Sequence, residues 1–346
     1  MKKILIFELN WLGDILFSFP LMKVLKRDFP GAYISCAVVS RYAQLLEGQK
    51  CVDEVLILPE KGNFRSFLEW PLFIRSVRKK GFDVCFFLKP SRSRSMAAAN
   101  VGTRIGFEGK NVGLTHAVRA EEGDLHRMDR ILSLAEAAGA KVAHRDRVYE
   151  YVLSNSELDR ARNLLRSCGH HAPGRIVCVN PGGNWAPKRW PAGDHAELIG
   201  LMLEKYGDIS IAVTGAPKDR ALALRIAASA GDPRCFSIAG RTDLKGLAAV
   251  FALSSLVISA DSGPLHLAAA CGVPVVGLFG PTSPALTGPR GTNASSVIHH
   301  EVGCNVPCYE TDCSKGFECM KSIRPSEVMK RVSELLEKCK RETGDV

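Results

Sequence analysis

Ser259-Ala260-Asp261-Ser262-Gly263-Pro264-Leu265-His266-Leu267-Ala268-Ala269-Ala270-Cys271-Gly272 lies between two apolar runs, Leu256-Val257-Ile258 and Val273-Pro274-Val275-Val276-Gly277-Leu278-Phe279. The pattern predicts a strand, a tight turn, a short helix and a second strand. The turn carries a carboxylate, a hydroxyl and a glycine, with a histidine one helical turn further on. Backbone N–H groups and the positive end of a helix are thereby offered to an anion, which points to a phosphate-bearing ligand.

Working outward, the same alternation recurs along the chain. Lys3–Leu9, Tyr33–Val39, Val52–Leu58 and Asp83–Leu88 read as strands, and Asp14–Arg27, Phe64–Lys80 and Leu125–Gly139 as helices. The pattern restarts near residue 174. Arg175–Asn180 and Ile209–Thr214 read as strands, and Ala192–Tyr206, Pro217–Ala230 and Leu244–Ala252 as helices. Strands alternating with helices predict parallel sheets covered on both faces. Two α/β domains are expected, with a linker at His170-His171-Ala172-Pro173-Gly174 and a cleft between them beyond the carboxyl ends of the strands.

The 346 residues are 46% hydrophobic and 24% charged, a soluble globular composition. The net charge of +10 is uneven. Residues 1–173 hold 27 Lys/Arg against 19 Asp/Glu, and residues 174–346 hold 19 against 17. The first half is therefore expected to meet something anionic. Glu8, Asn10 and Asp14 interrupt the apolar start, which argues against a signal peptide, and no run of about 18 apolar residues predicts a membrane span. Twelve cysteines without a secretion signal predict reduced thiols and a cytoplasmic location.

Three further blocks bear charge or polarity. The first turn, Glu8-Leu9-Asn10-Trp11-Leu12-Gly13-Asp14, lacks the glycine spacing of a dinucleotide fold, and no phosphate-binding loop of the Walker type occurs. Asp14 reads either as a helix N-cap or as a general base facing the cleft. Asn180-Pro181-Gly182-Gly183-Asn184-Trp185-Ala186-Pro187-Lys188-Arg189-Trp190-Pro191 brings two cations after two glycines, suited to phosphate or simply solvated. Ser262 lacks the flanking glycines of a hydrolase nucleophile elbow, since Ala260 and Pro264 stand there. His266 is either a packed helix histidine or a phosphate or sugar contact. Cys304, Cys308, Cys313 and Cys319 fall within 16 residues and could bind a metal, form a disulfide or remain free.

Taken in order, Asn10–Asp14, Ala186–Pro191, Gly215–Asp219 and Asp261–His266 through Phe279–Thr282 resemble glycosyltransferase family nine, the lipopolysaccharide heptosyltransferases. The Trp-containing first turn and the Lys-Arg-Trp-Pro block resemble its heptosyltransferase II branch. The resemblance implies a GT-B fold: domains at 1–172 and 173–346, each Rossmann-like, with a last helix near 326–340 packing back on the first. It implies an ADP-heptose donor on the second domain and the inner core on lipid A as acceptor on the first, at the inner face of the inner membrane. Neither cofactor nor metal is implied.

By position, Asp14 matches the family's base and Lys188 the cation at the donor phosphates. Asp261, Ser262, Gly263, Leu265 and His266, with Asn184 and Thr242, match the donor site. The expected ribose carboxylate is replaced by Pro217, with Asp219 nearest. The basic residues Arg75, Arg78, Lys79, Lys80, Lys89, Arg92 and Arg94 are candidate acceptor contacts, or else a solvated face. Having both Asp14 and Lys188 favours an enzyme over a non-catalytic binder of nucleotide sugars or anionic lipid. A family-nine transferase with another heptose acceptor or nucleotide sugar is the nearest alternative. The mild charge of the second half and the absence of a recognition helix argue against nucleic acid.

Overall fold

A computed structural model describes residues 2–8, 10–60, 64–89, 91–109, 113–119, 125–170 and 174–343, with backbone alone at 64–67 and 339–343. The chain divides into two compact units, Met1–Val152 and Leu153–Val346.

The first unit runs β1 (Lys3–Phe7), α1 (Leu12–Asp28), β2 (Tyr33–Val39), α2 (Ser40–Leu46), β3 (Glu54–Leu58), α3 (Phe64–Lys80), β4 (Val84–Phe87), α4 (Arg92–Ala97), β5 (Thr103–Phe107), β6 (His116–Val118) and α5 (Arg127–Ala137). Its six strands are parallel, in the order β3-β2-β1-β4-β5-β6. β1 buries four consecutive residues, Ile4 to Phe7, because a central parallel strand is covered on both faces. α1 keeps Asp14 in its first turn and Lys26 and Arg27 in its last, charges that suit the helix dipole.

The second unit runs α6 (Asn155–Ser167), β7 (Arg175–Asn180), α7 (Ala192–Lys205), β8 (Ile209–Val213), α8 (Arg220–Ser229), β9 (Cys235–Ser237), α9 (Leu244–Ala252), β10 (Leu256–Ala260), α10 (Gly263–Ala270), β11 (Val275–Phe279), α11 (Pro284–Thr287), β12 (Ser295–His299), α12 (Glu318–Lys321) and α13 (Pro325–Thr343). Its order, β12-β11-β10-β7-β8-β9, repeats that of the first sheet. In each sheet the first and fourth strands of the unit are neighbours, with crossovers leaving in opposite directions. That is the switch point beyond which open α/β sheets hold their ligands.

The division falls before α6, earlier than the expected 172/173. Ala161 and Leu165 are buried, α6 packs along α9, and His170 Nδ1 lies 3.2 Å from Ser210 Oγ on β8. The expected linker thus begins with a residue anchored in the second unit; its residues 171–173 lie outside the described ones. The last helix spans slightly more than 326–340. Val328, Val332, Leu335 and Leu336 are buried in the second unit's own core, against α7, β10 and β11. Among the described residues no helix is long and apolar enough to cross a membrane.

Candidate functional site

In the second unit the switch point lies between β7 and β10, and the predicted donor residues gather beyond it. β10 ends at Ala260, so Asp261 and Ser262 form the corner into α10. Ser262 is the N-cap of α10 in extended conformation, and its hydroxyl lies 3.0 Å from Ser259 Oγ instead of capping the helix. The first N–H groups of the helix face away from its own hydrogen-bond ladder, as at any helix start.

Asp261 is 4% exposed and gathers two partners. Lys188 Nζ donates to Oδ2 at 2.7 Å, and His266 Nε2 lies 3.4 Å from Oδ1. Burial alone would raise the Asp261 carboxyl. The hydrogen bond from His266 and the Lys188 charge outweigh it and hold the group well below the usual carboxylate range. His266 is 3% exposed, so it is a packed histidine with a named polar partner. Lys188 closes a short 3-10 turn, Ala186–Lys188, and sits 5.7 Å from the Trp185 ring centroid, which in turn stacks on Tyr309 at 6.3 Å.

The adjoining residues have mixed roles. Arg189 donates to the Gly183 carbonyl from Nε and Nη2, at 3.1 and 2.6 Å, and so holds its own loop. Trp190 is buried and donates to the Ile323 carbonyl. Asn184 is exposed and accepts from Lys218 Nζ. Asp219 is buried, accepts from the Ala216 N–H at 3.2 Å and lies against Gly182. Leu265 is fully buried, its side chain against Gly277, so it has no side chain to offer a ligand. Thr242 precedes α9 beyond β9, two strands along the sheet from β7, and is not brought together with Lys188, Asp261 and His266 by any described bond.

The first unit shows the same design between β1 and β4. Trp11, not Asp14, is the N-cap of α1. Asp14 is the third helical residue, and its Oδ1 accepts from Arg127 Nη1 at 2.6 Å. Arg127 went unread because 113 residues separate the pair. Glu8, also unread, is fully buried at the end of β1, with Ser18 Oγ 2.9 Å from Oε2. Arg94 is buried and donates from Nη2 to Asn10 Oδ1 at 3.1 Å. Burial pulls its guanidinium below the ordinary arginine value, and the Glu8 carboxylate pushes it back up.

The other basic candidates divide. Lys89 and Arg92 are exposed beside Arg94. Arg75, Arg78 and Lys79 line an open groove along α3 with Pro71 and Ile74. Lys80 pairs with Glu54, which ties α3 to β3. The four loop cysteines are free thiols, and among the described residues no three His, Cys, Asp or Glu side chains are arranged to hold a metal. The loop itself is docked, with the Cys308 N–H donating to the Pro281 carbonyl at 2.7 Å.

Two Rossmann-type units in one chain, the second pairing a lysine with a helix N-terminus at its switch point, place the chain in the GT-B class of α/β proteins. Residues 71–316 match the model of glycosyltransferase family 9 (heptosyltransferase), and the chain belongs to that family, an enzyme of the glycosyltransferase class. The lipopolysaccharide heptosyltransferase 2 of Salmonella typhimurium is 26% identical over 352 residues, covering 96% of this chain and 98% of that protein. The structure of the E. coli ADP-heptose lipopolysaccharide heptosyltransferase II superposes with a TM-score of 0.81 at 24% identity, over 98% of this chain and 99% of that one. A family 9 glycosyltransferase from Veillonella parvula superposes at 0.85 with 22% identity, over 97% of each. The expected family and fold class are borne out; at these identities the superpositions establish the fold alone.

Proposed function

We propose that this protein transfers heptose from ADP-heptose to the inner core of lipopolysaccharide, with inversion and without a metal, at the inner face of the inner membrane. The observation that carries the donor half is the Lys188–Asp261–His266 cluster at the N-terminus of α10. An ammonium and helix N–H groups at one place suit a diphosphate.

Asp14 is the base. Arg127 engages Oδ1, and Oδ2 takes the proton of the acceptor hydroxyl. The acceptor oxygen forms a bond to the anomeric carbon as the bond from that carbon to the β-phosphate oxygen breaks. ADP leaves with the electron pair, and the charge it gathers meets Lys188 and the N–H groups at Ser262 and Gly263. Asp261 keeps the Lys188 ammonium in position, and Arg127 is a positioning residue for Asp14. The basic residues Lys89, Arg92 and Arg94, with Arg75, Arg78 and Lys79, are assigned to the acceptor.

General-base assistance contributes about 10²–10⁴-fold. Asp14→Ala is therefore expected to lower kcat by about that factor, with ADP-heptose affinity by calorimetry nearly unchanged. Lys188→Ala is expected to weaken the donor as well. Full turnover in Asp14→Ala would remove Asp14 as base. Product analysis on truncated core acceptors separates this reading from transfer to another acceptor, which 26% identity to the Salmonella enzyme leaves open.

A further inference from the structure

The segment between β12 and α12 carries Cys304, Cys308 and Cys313, leads to Cys319 in α12, and has no role in the transfer described above. Its bonds hold it in one shape. Lys315 Nζ donates to the Val302 and Gly303 carbonyls, both at 2.9 Å, and closes the neck of the loop. The Phe317 N–H donates to Cys313 Sγ at 3.3 Å, at the entry to α12. Cys319 Sγ lies 3.2 Å from where a Cβ on Gly280 would stand, against the chain as it leaves β11. The Cys308 N–H reaches the carbonyl of the next residue, Pro281, and docks the middle of the loop there.

This scaffold presents Tyr309. The residue is 74% exposed, yet its ring lies near parallel to that of Trp185, with centroids 6.3 Å apart and 29° between the planes. Trp185 is only partly buried and begins the turn that delivers Lys188, whose Nζ stands 5.7 Å from the Trp185 ring centroid. A lysine is a point charge on a flexible stem. Here the ammonium is held from two directions, by Asp261 Oδ2 at 2.7 Å and by the Trp185 ring. The ring is held in its turn by the tyrosine stacked on it. A tyrosine this exposed adds little to a core, so the consequence of the stack falls on Lys188.

We infer that the cysteine-bearing loop is a brace for the donor lysine, and that Tyr309 is its positioning residue: it fixes the Trp185 ring, and through that ring the direction of the Lys188 ammonium toward a diphosphate. Tyr309 acts through Trp185 and not by touching the ligand. That the diphosphate belongs to ADP-heptose rests on the function proposed above; the brace itself does not.

The test is calorimetric titration of the full chain with ADP and, separately, with inorganic pyrophosphate, which has no base to stack. Tyr309→Ala is expected to weaken both by about three- to tenfold, the change that losing one aromatic or cation–π contact allows, with Tm unmoved at so exposed a position. Tyr309→Phe keeps the ring and is expected within about twofold of wild type. Trp185→Ala is expected to weaken both ligands as well, and adding Tyr309→Ala to it should cost little more, because the tyrosine then has nothing to act through. In turnover with ADP-heptose, Tyr309→Ala should lower kcat and raise the donor KM while leaving the acceptor KM unchanged, since Lys188 meets the charge of the leaving group. Three results overturn the inference: pyrophosphate affinity unmoved in Tyr309→Ala, a loss in Tyr309→Phe equal to that in Tyr309→Ala, or additive losses in the double variant. A loss confined to ADP would mean that Tyr309 touches the base directly, and overturns it too. Tyr309-dependent binding of both ligands in a protein that transfers no heptose keeps the brace and removes the donor assignment instead.

Discussion

Gly182 stands in the sequence as the first of two glycines ahead of the cations Lys188 and Arg189, and its neighbourhood supplies a packing reason for it. A Cβ there would stand 2.5 Å from Asp219 Oδ2 and 2.7 Å from Cγ. That carboxylate cannot swing away freely, because it is buried and bonded to the Ala216 N–H. Gly182→Ala should therefore cost about 1–3 kcal/mol, as overpacking does, and lower Tm by about 2–10 °C. Asp219→Ala in the same chain should recover part of the loss, a coupling that a double-mutant cycle reads by calorimetry. Wild-type stability in Gly182→Ala alone would defeat the account. Such pairings mark the limit of sequence reading at this scale. Asp14, Lys188 and Asp261 were visible as residue types in a turn. Arg127 as the partner of Asp14, and Lys188 as the partner of Asp261 across 73 residues, depend on strand order and cannot be read locally.

Helix α7 carries a histidine whose protonation opposes folding. His195 is 1% exposed, packs edge-on to Trp190 at 4.8 Å, and burial pushes it down to about 3. The unfolded chain binds a proton there below about pH 6.5. The folded protein does not until about pH 3, so acid favours the unfolded state throughout that window and stability falls as pH falls. His195→Leu removes this slope. Urea unfolding at pH 7 and pH 4.5 should show the variant gaining about 2–3 kcal/mol relative to wild type over the interval. A constant difference at the two pH values would mean that His195 is charged when folded. Other elements were legible to different degrees. Tyr33–Val39, Arg175–Asn180 and Leu244–Ala252 match their expected bounds, because uninterrupted apolar periodicity fixes both type and length. β9 has three residues and β6 three, too few to show a period. α6 did leave a signal. Ser154 and Glu157 form a capping box around its start, and reading that box would have moved the expected boundary ahead of α6.

At the scale of the whole chain, the charge excess of residues 1–173 makes a salt prediction. Under the proposed function, exposed lysines and arginines attract an anionic acceptor through solvent, where a Debye length shrinks from about 10 Å at 0.1 M to 3 Å at 1 M. Lys188 is three-quarters buried and paired, so its contribution is screened less. Raising ionic strength from about 50 to 300 mM should raise the acceptor KM several-fold and the donor KM less. Equal rises would count against the division of labour. Two α/β units were legible from the restart of the strand–helix pattern near residue 174; the common strand order was not, since alternation alone leaves several topologies open. That repeated order, β3-β2-β1-β4-β5-β6 and β12-β11-β10-β7-β8-β9, gives each half its own switch point on its own scaffold. Substitutions around one switch point are expected to leave the strands and core of the other sheet intact, because the two sheets belong to separate compact units. Under the proposed reading, a lineage can exchange the molecule it decorates while inheriting an unaltered grip on the activated sugar. The chain is in effect two cassettes, each open to selection separately.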